Sequence, residues 1–287
     1  MADYLAPFDD IRFVLRHIAG LDDLATYEGF EHAGPDMTFG VLEECARFMQ
    51  DKVAPLNRVG DEQTSVWNQD NTVTTPDGFI DAYNDYVEAG WGGVALPEAY
   101  GGGGFPWLVG IAMQEMLTAS NEAFSMAPLL TQGAIDAILA HSDEIQKETY
   151  LPKMVTGEWA GTMNLSEPQA GSDVGAVRTR AEKQDDGSYK ITGTKIWISW
   201  GEHDMADNII HLVLARTPDA PPGTKGISMF IVPKFLVNDD GSLGDKNGVV
   251  CQSIEHKLGI KASPTCVLDY DEATGFLVGE ENRGMSY

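Results

Sequence analysis

The sequence predicts an α+β protein: an N-terminal α-helical domain over residues 1–157, then a middle β domain, a barrel or sandwich, over residues 158–287. Two observations predict it. Before Gly157 apolar residues recur at helical spacing; after it the period shortens to two, with Gly, Pro and Asp turns between short strands. The 287 residues, 43% of them hydrophobic, are enough to bury a sizeable core.

Phe39, Leu42, Ala46, Met49 and Val53 mark the first helix, with Asp36 and Thr38 as candidate caps and Pro55 as its close. A second helix starts at Pro76, carries Ile80, Tyr83 and Val87 on one face and stops at Gly90. Residues 108–118 and 129–140 form two further apolar helices. Ser142 caps a last one, with Gly157 past its end. Strands are predicted at 159–165, 177–183, 189–191, 195–199, 209–216, 226–233, 249–255 and 266–270. The glycines at 101–104 precede no lysine and match no phosphate-loop pattern, so they read as a connection between helices.

Charge and composition exclude several function classes. With 19 basic and 44 acidic residues the net charge is −25, which repels phosphate backbones and argues against nucleic acid. An anionic ligand must then be held by local donors. Cys45, Cys251 and Cys266 are too few and scattered for a disulfide framework, which suits a reducing compartment. Residues 1–10 carry three aspartates and no basic residue, the wrong sign for a targeting peptide. No apolar stretch approaches the ~20 residues of a membrane helix. The expectation is a cytoplasmic protein without membrane insertion. His17, His32, His141, His203, His211 and His256 lack metal-site spacing, the Asp- and Gly-rich stretch 239–248 lacks calcium-loop spacing, and no Gly-x-Ser-x-Gly elbow occurs. Neither a metal nor a serine nucleophile is expected.

Two segments carry chemistry. In Leu165-Ser166-Glu167-Pro168-Gln169-Ala170-Gly171-Ser172-Asp173 a strand ends at Ser166 and Pro168 stops the ladder. Ala170-Gly171-Ser172 then forms a tight turn whose outward amides suit phosphate oxygens without net positive charge; the plainer reading is an Asx-type turn. In Gly193-Thr194-Lys195-Ile196-Trp197-Ile198-Ser199, alternation puts Lys195, Trp197 and Ser199 on one face. That face is a wall for a flat heteroaromatic ring, unless Trp197 packs into the core.

Together the two segments resemble the flavin-binding signature of the acyl-CoA dehydrogenase family. The resemblance extends to Trp91-Gly92-Gly93-Val94-Ala95-Leu96-Pro97, the helix around Tyr150-Leu151-Pro152-Lys153, Leu214-Ala215-Arg216 and Asn282-Arg283-Gly284-Met285. Within the family, Tyr4-Leu5-Ala6-Pro7 and the insert 235–249 look most like a bacterial subgroup containing 3-methylmercaptopropionyl-CoA dehydrogenase.

The resemblance implies FAD as cofactor and conversion of an acyl-CoA to a trans-2-enoyl-CoA, with electrons passed to electron-transfer flavoprotein. It implies main-chain contacts from Met163, Leu165 and Ser166 to the pyrimidine edge, and the pyrophosphate near Gly171 and Ser172. Ser172 also lies beside the thioester's path. It implies Trp197 and Ile198 along the flavin ring and Ser199 near its N5 region. Trp200, in place of a commoner Asn, puts the ring's edge contacts in doubt, and Gln169 adds a side chain beside the turn. The segment Glu255-His256-Lys257-Leu258-Gly259 reads as mainly structural. The family's glutamate base belongs to a C-terminal helical bundle expected beyond Tyr287, so no catalytic residue is assigned, and Glu167 reads as structural. A homodimer or homotetramer is implied for the full-length protein. A non-catalytic flavin- or CoA-binding subunit and an oxidase using O2 remain open alternatives.

Overall fold

Helices fill the first half of the chain because its apolar residues form stripes that close on one another. The computed structural model describes residues 4–287; the first three residues of the acidic N-terminal stretch lie outside them. α1 (Phe8–His17), which the periodicity did not flag, has Asp9 and Asp10 in its first turn and Arg16 and His17 in its last, matching the helix dipole. α2 (Leu21–Leu24) and α3 (Pro35–Phe48) follow. Pro55 does not end this helix. The backbone passes through a π turn at Met49–Val53 and continues as α4 (Ala54–Gln63), with Pro55 in the first turn of α4.

β1 (Val66–Trp67) and β2 (Val73–Thr74) form a small hairpin. α5 (Phe79–Glu88) buries Phe79, Ala82, Tyr83 and Tyr86, whereas Ile80 faces outward. α6 (Trp107–Ser120) leads to α7 (Glu122–His141), which starts earlier than predicted because Asn121 caps it, accepting from the Phe124 N–H at 3.1 Å. α8 (Glu144–Thr156) is capped by Asp143, not Ser142; the Asp143 carboxylate accepts from the Gln146 N–H at 2.8 Å. By length and composition α7 could cross a membrane, contrary to expectation. Ser125, Pro128, Gln132 and Asp136 break its apolar run in the sequence, yet one continuous helix forms. Its buried residues Phe124, Ala127, Thr131, Ala134, Ile135 and Ile138 account for that apolarity.

Then the strands begin: β3 (Trp159–Asn164), β4 (Arg180–Lys183), β5 (Tyr189–Ser199), β6 (Asn208–Ala215), β7 (Ser228–Pro233), β8 (Phe235–Val237), β9 (Leu243–Lys246), β10 (Val249–Glu255) and β11 (Thr265–Leu277). The two strands expected at 189–191 and 195–199 are one. Seven strands share a sheet in the order β3-β6-β7-β11-β5-β4, with β10 also on β11; β8 and β9, the predicted insert, form a separate hairpin. β3 runs parallel to β6 and the other pairs are antiparallel. β11 pairs with β10 over its first half and with β5 from Thr265 to Gly275, across an irregularity between Tyr270 and Ala273; its last residues, Phe276 and Leu277, reach β7. That curls the sheet.

Helices and sheet are packed as one body. Met205, Ala262 and Trp200 of the β half sit in the apolar cluster of the helical half. The Trp200 indole N–H donates to the Ala123 carbonyl at 3.1 Å, holding the start of α7 against the end of β5.

Candidate functional site

The first motif segment turns one step earlier than its composition suggested. The Glu167 N–H donates to the Ala170 carbonyl at 2.7 Å and the Ala170 N–H returns the bond at 3.0 Å, so Pro168 and Gln169 make the turn. Gln169 closes it internally, donating from Nε2 to Glu167 Oε2 at 2.6 Å and to the Ala176 carbonyl at 3.2 Å. Gly171, Ser172 and Asp173 follow. Their amides donate no hydrogen bond within the described residues, and Ser172 and Asp173 are exposed. A run of free amides of this kind can hold an anion in a chain of negative charge.

A buried ion pair joins the two motif segments. Lys195 Nζ lies 2.9 Å from Glu167 Oε1, with 0% and 3% of the two side chains exposed. Glu167 also accepts from the Arg178 N–H at 2.7 Å, the Thr179 N–H at 3.0 Å and the Thr179 hydroxyl at 2.6 Å. Burial works to raise its pKa, but the Lys195 charge and then these donors outweigh it and hold the carboxyl at about 2. Lys195 donates a second bond to the Leu165 carbonyl at 2.9 Å, and the Ile196 N–H donates to the Ser166 carbonyl at 2.9 Å. Each carbonyl thus already accepts one bond, while the Leu165 and Ser166 N–H groups donate none within the described residues. Glu167 is structural.

Strict alternation along β5 fails near its end. Ile198 pairs with Cys266 and Lys195 with Leu268, so Ile196 and Trp197 together oppose Val267 in a β-bulge. Trp197 takes φ +60°, a conformation that costs a bulky residue about 1–3 kcal/mol. Lys195 and Trp197 therefore do not share a face, contrary to the expectation. Lys195 is fully buried, and the Trp197 indole is turned out, 52% exposed. Trp197 is not core.

The remaining site residues divide. An added Cβ on Gly171 would stand 4.0 Å from Ser166 Oγ and 4.0 Å from Trp197 Cζ3, so these three residues, from two segments, border one small space. Met163, at the outer strand β3, is also exposed. Ile198 is buried in the sheet core, so its side chain faces away. Ser199 is half-buried at the end of β5. Trp200 is core, a bolt between the two halves. Lys257, in the segment read as mainly structural, holds its ammonium over the Trp197 ring, 5.6 Å from the centroid. Its place in a motif of ordinary loop charge gave no signal of this.

The comparisons decide the family. The model described as acyl-CoA dehydrogenase, N-terminal domain, matches residues 40–158, and that described as acyl-CoA dehydrogenase, middle domain, matches residues 162–273. The chain belongs to the acyl-CoA dehydrogenase family. It is 46% identical over 99% of its length to 3-methylmercaptopropionyl-CoA dehydrogenase of Ruegeria pomeroyi, covering 48% of that protein. It is 39% identical over 97% of its length to a butyryl-CoA dehydrogenase of Syntrophomonas wolfei, covering 47% of it. The chain thus spans about half the length of these relatives. Among solved structures, the Bacillus anthracis acyl-CoA dehydrogenase complexed with FAD superposes with a TM-score of 0.70 at 25% identity, over 88% of this chain and 38% of that one.

Proposed function

We propose that this chain holds FAD and presents it to an acyl-CoA thioester for α,β-dehydrogenation to a trans-2-enoyl-CoA. The observation that carries the reading is the convergence of Ser166, Gly171 and Trp197 on one space that a side chain at position 171 would fill. The residues fit such a group: an outward indole, hydroxyls at Ser166 and Ser199, and free amides at Gly171, Ser172 and Asp173. The FAD in the Bacillus anthracis relative supports the same reading.

Bound FAD supplies a two-electron acceptor. The chain's own residues bind and orient. The Leu165 and Ser166 N–H groups and the Ser166 hydroxyl donate to the polar edge of the flavin ring, Trp197 packs along it and Ser199 donates near it. The amides of Gly171 and Ser172 hold the pyrophosphate, and Ser172 lies beside the thioester. Glu167 cannot serve as the base, since five donors occupy it. The acceptor of the α-proton is in this reading a carboxylate beyond Tyr287.

The Ruegeria pomeroyi relative favours 3-methylmercaptopropionyl-CoA as substrate. Electron-transfer flavoprotein as acceptor, a cytoplasmic location and a homo-oligomeric state belong to the same proposal. Its test is anaerobic addition of 3-methylmercaptopropionyl-CoA and butyryl-CoA to flavin-loaded protein extended to the relatives' length. Bleaching of the visible flavin band is the expected result. Retained flavin that no acyl-CoA bleaches counts against the reaction.

A further inference from the structure

The Trp197 indole is poorly held by its own strand. Its backbone is in the left-handed region, half of the residue is exposed, and Nε1 donates no hydrogen bond within the described residues. On one side its Cζ3 edge borders Gly171, which has no side chain to pack against it. A large side chain so placed would sample several rotamers, and a bound ring would have to order it on arrival.

Lys257 lies over the face of this indole. The loop that carries it, residues 256–264, is tied down at its far end. The Ser65 hydroxyl donates to the Ala262 carbonyl at 2.5 Å and the Ser65 N–H to the Lys261 carbonyl at 3.2 Å. A Cβ on Gly60 would come within 2.7 Å of the Ala262 Cβ, so α4 and this loop touch backbone to side chain. The Trp200 N–H donates to the Pro264 carbonyl at 2.8 Å. Lys257 is thus presented from a loop anchored to both the helical half and the end of β5.

We propose that Lys257 is a positioning residue of the candidate flavin site, fixing the Trp197 indole before the ring binds by a cation–π contact from the loop 256–264. The role rests on the reading of Trp197 as the flavin wall. An ammonium over an exposed indole contributes modestly, but it acts where the backbone leaves the side chain loose. The contact also links the wall to the packing of helices on sheet.

Lys257→Met keeps length and removes charge; Lys257→Arg keeps the cation. Trp197 emission is isolated as the difference between each protein and its Trp197→Phe counterpart, and its quenching by neutral acrylamide is measured without flavin. The expected result is roughly twofold stronger quenching in Lys257→Met and parental quenching in Lys257→Arg. FAD affinity, read by flavin fluorescence, is expected to fall roughly three- to tenfold in Lys257→Met and to be restored by Arg. Unchanged quenching in Lys257→Met overturns the proposal, as does loosened quenching with unchanged FAD affinity, or an Arg variant as impaired as Met. If the parent binds no FAD, the flavin reading fails, while the quenching result still decides whether Lys257 orders Trp197.

Discussion

Lys195 Nζ and Glu167 Oε1 are 2.9 Å apart in a place neither can leave, and each belongs to a different motif segment. The pair therefore sets how the two segments face one another. A buried pair of this kind is worth little against an apolar substitute, but breaking it from one side strands a charge. Lys195→Met or Glu167→Ala alone should each lower unfolding free energy by about 3–5 kcal/mol in urea titration. The double variant should lose less than the sum of the singles. Additive losses would mean that the pair does not act as a unit.

Acid should destabilise the protein over two overlapping pH windows. His203 and His211 are buried, and desolvation first, then the Lys234 charge, lowers both to about 3 from 6.5. A depressed pKa means that the unfolded chain binds the proton first. The stability these neutral rings contribute is therefore complete above pH 6.5 and is lost as pH falls toward 3, by up to about 1.4 kcal/mol per unit for each ring. Glu167, held at about 2 against 4.5 unfolded, adds its own loss below pH 4.5. Urea midpoints from pH 7.5 to 5 should fall in the parent and fall less steeply in His211→Gln. A flat parental profile would contradict this.

Trp200 should behave as a core bolt and not as a flavin contact. Its side chain is buried and hydrogen-bonded to Ala123. Trp200→Ala should reduce stability by about 3–5 kcal/mol, whereas Trp200→Phe, which loses the N–H but keeps most of the ring, should lose about 1–2 kcal/mol. FAD affinity of the folded Phe variant should match the parent.

Gly171 separates stability from binding. The 4.0 Å contacts of an added Cβ are ordinary, and the residue is not in the left-handed region. Gly171→Ala should leave the melting temperature unchanged. Gly171→Leu, which fills the space beside Ser166 and Trp197, should weaken FAD binding about tenfold without destabilising the chain.

The fold class was legible because hydrophobic periodicity reports burial, and burial on this chain changes period at Gly157. Caps and breaks were less so. Pro55 does not stop its helix, because the wider π turn just before it carries the backbone into α4. Ser142 and Asp143 are both good caps, and the choice depends on where α7 ends. At the site, residue types were readable and directions were not. One extra residue in β5 turned Trp197 away from Lys195, and no local composition signals a bulge without a glycine. The Lys257 contact joins residues sixty positions apart through a loop fixed by tertiary packing.

In the proposed function Trp197 and the Gly171 turn form the flavin wall. FAD is titrated into the chain and its Trp197→Ala variant and followed by flavin fluorescence. Saturable binding in the parent, weakened about tenfold by the substitution, is the predicted result. Equal affinity in the two proteins, with both folded, would contradict it.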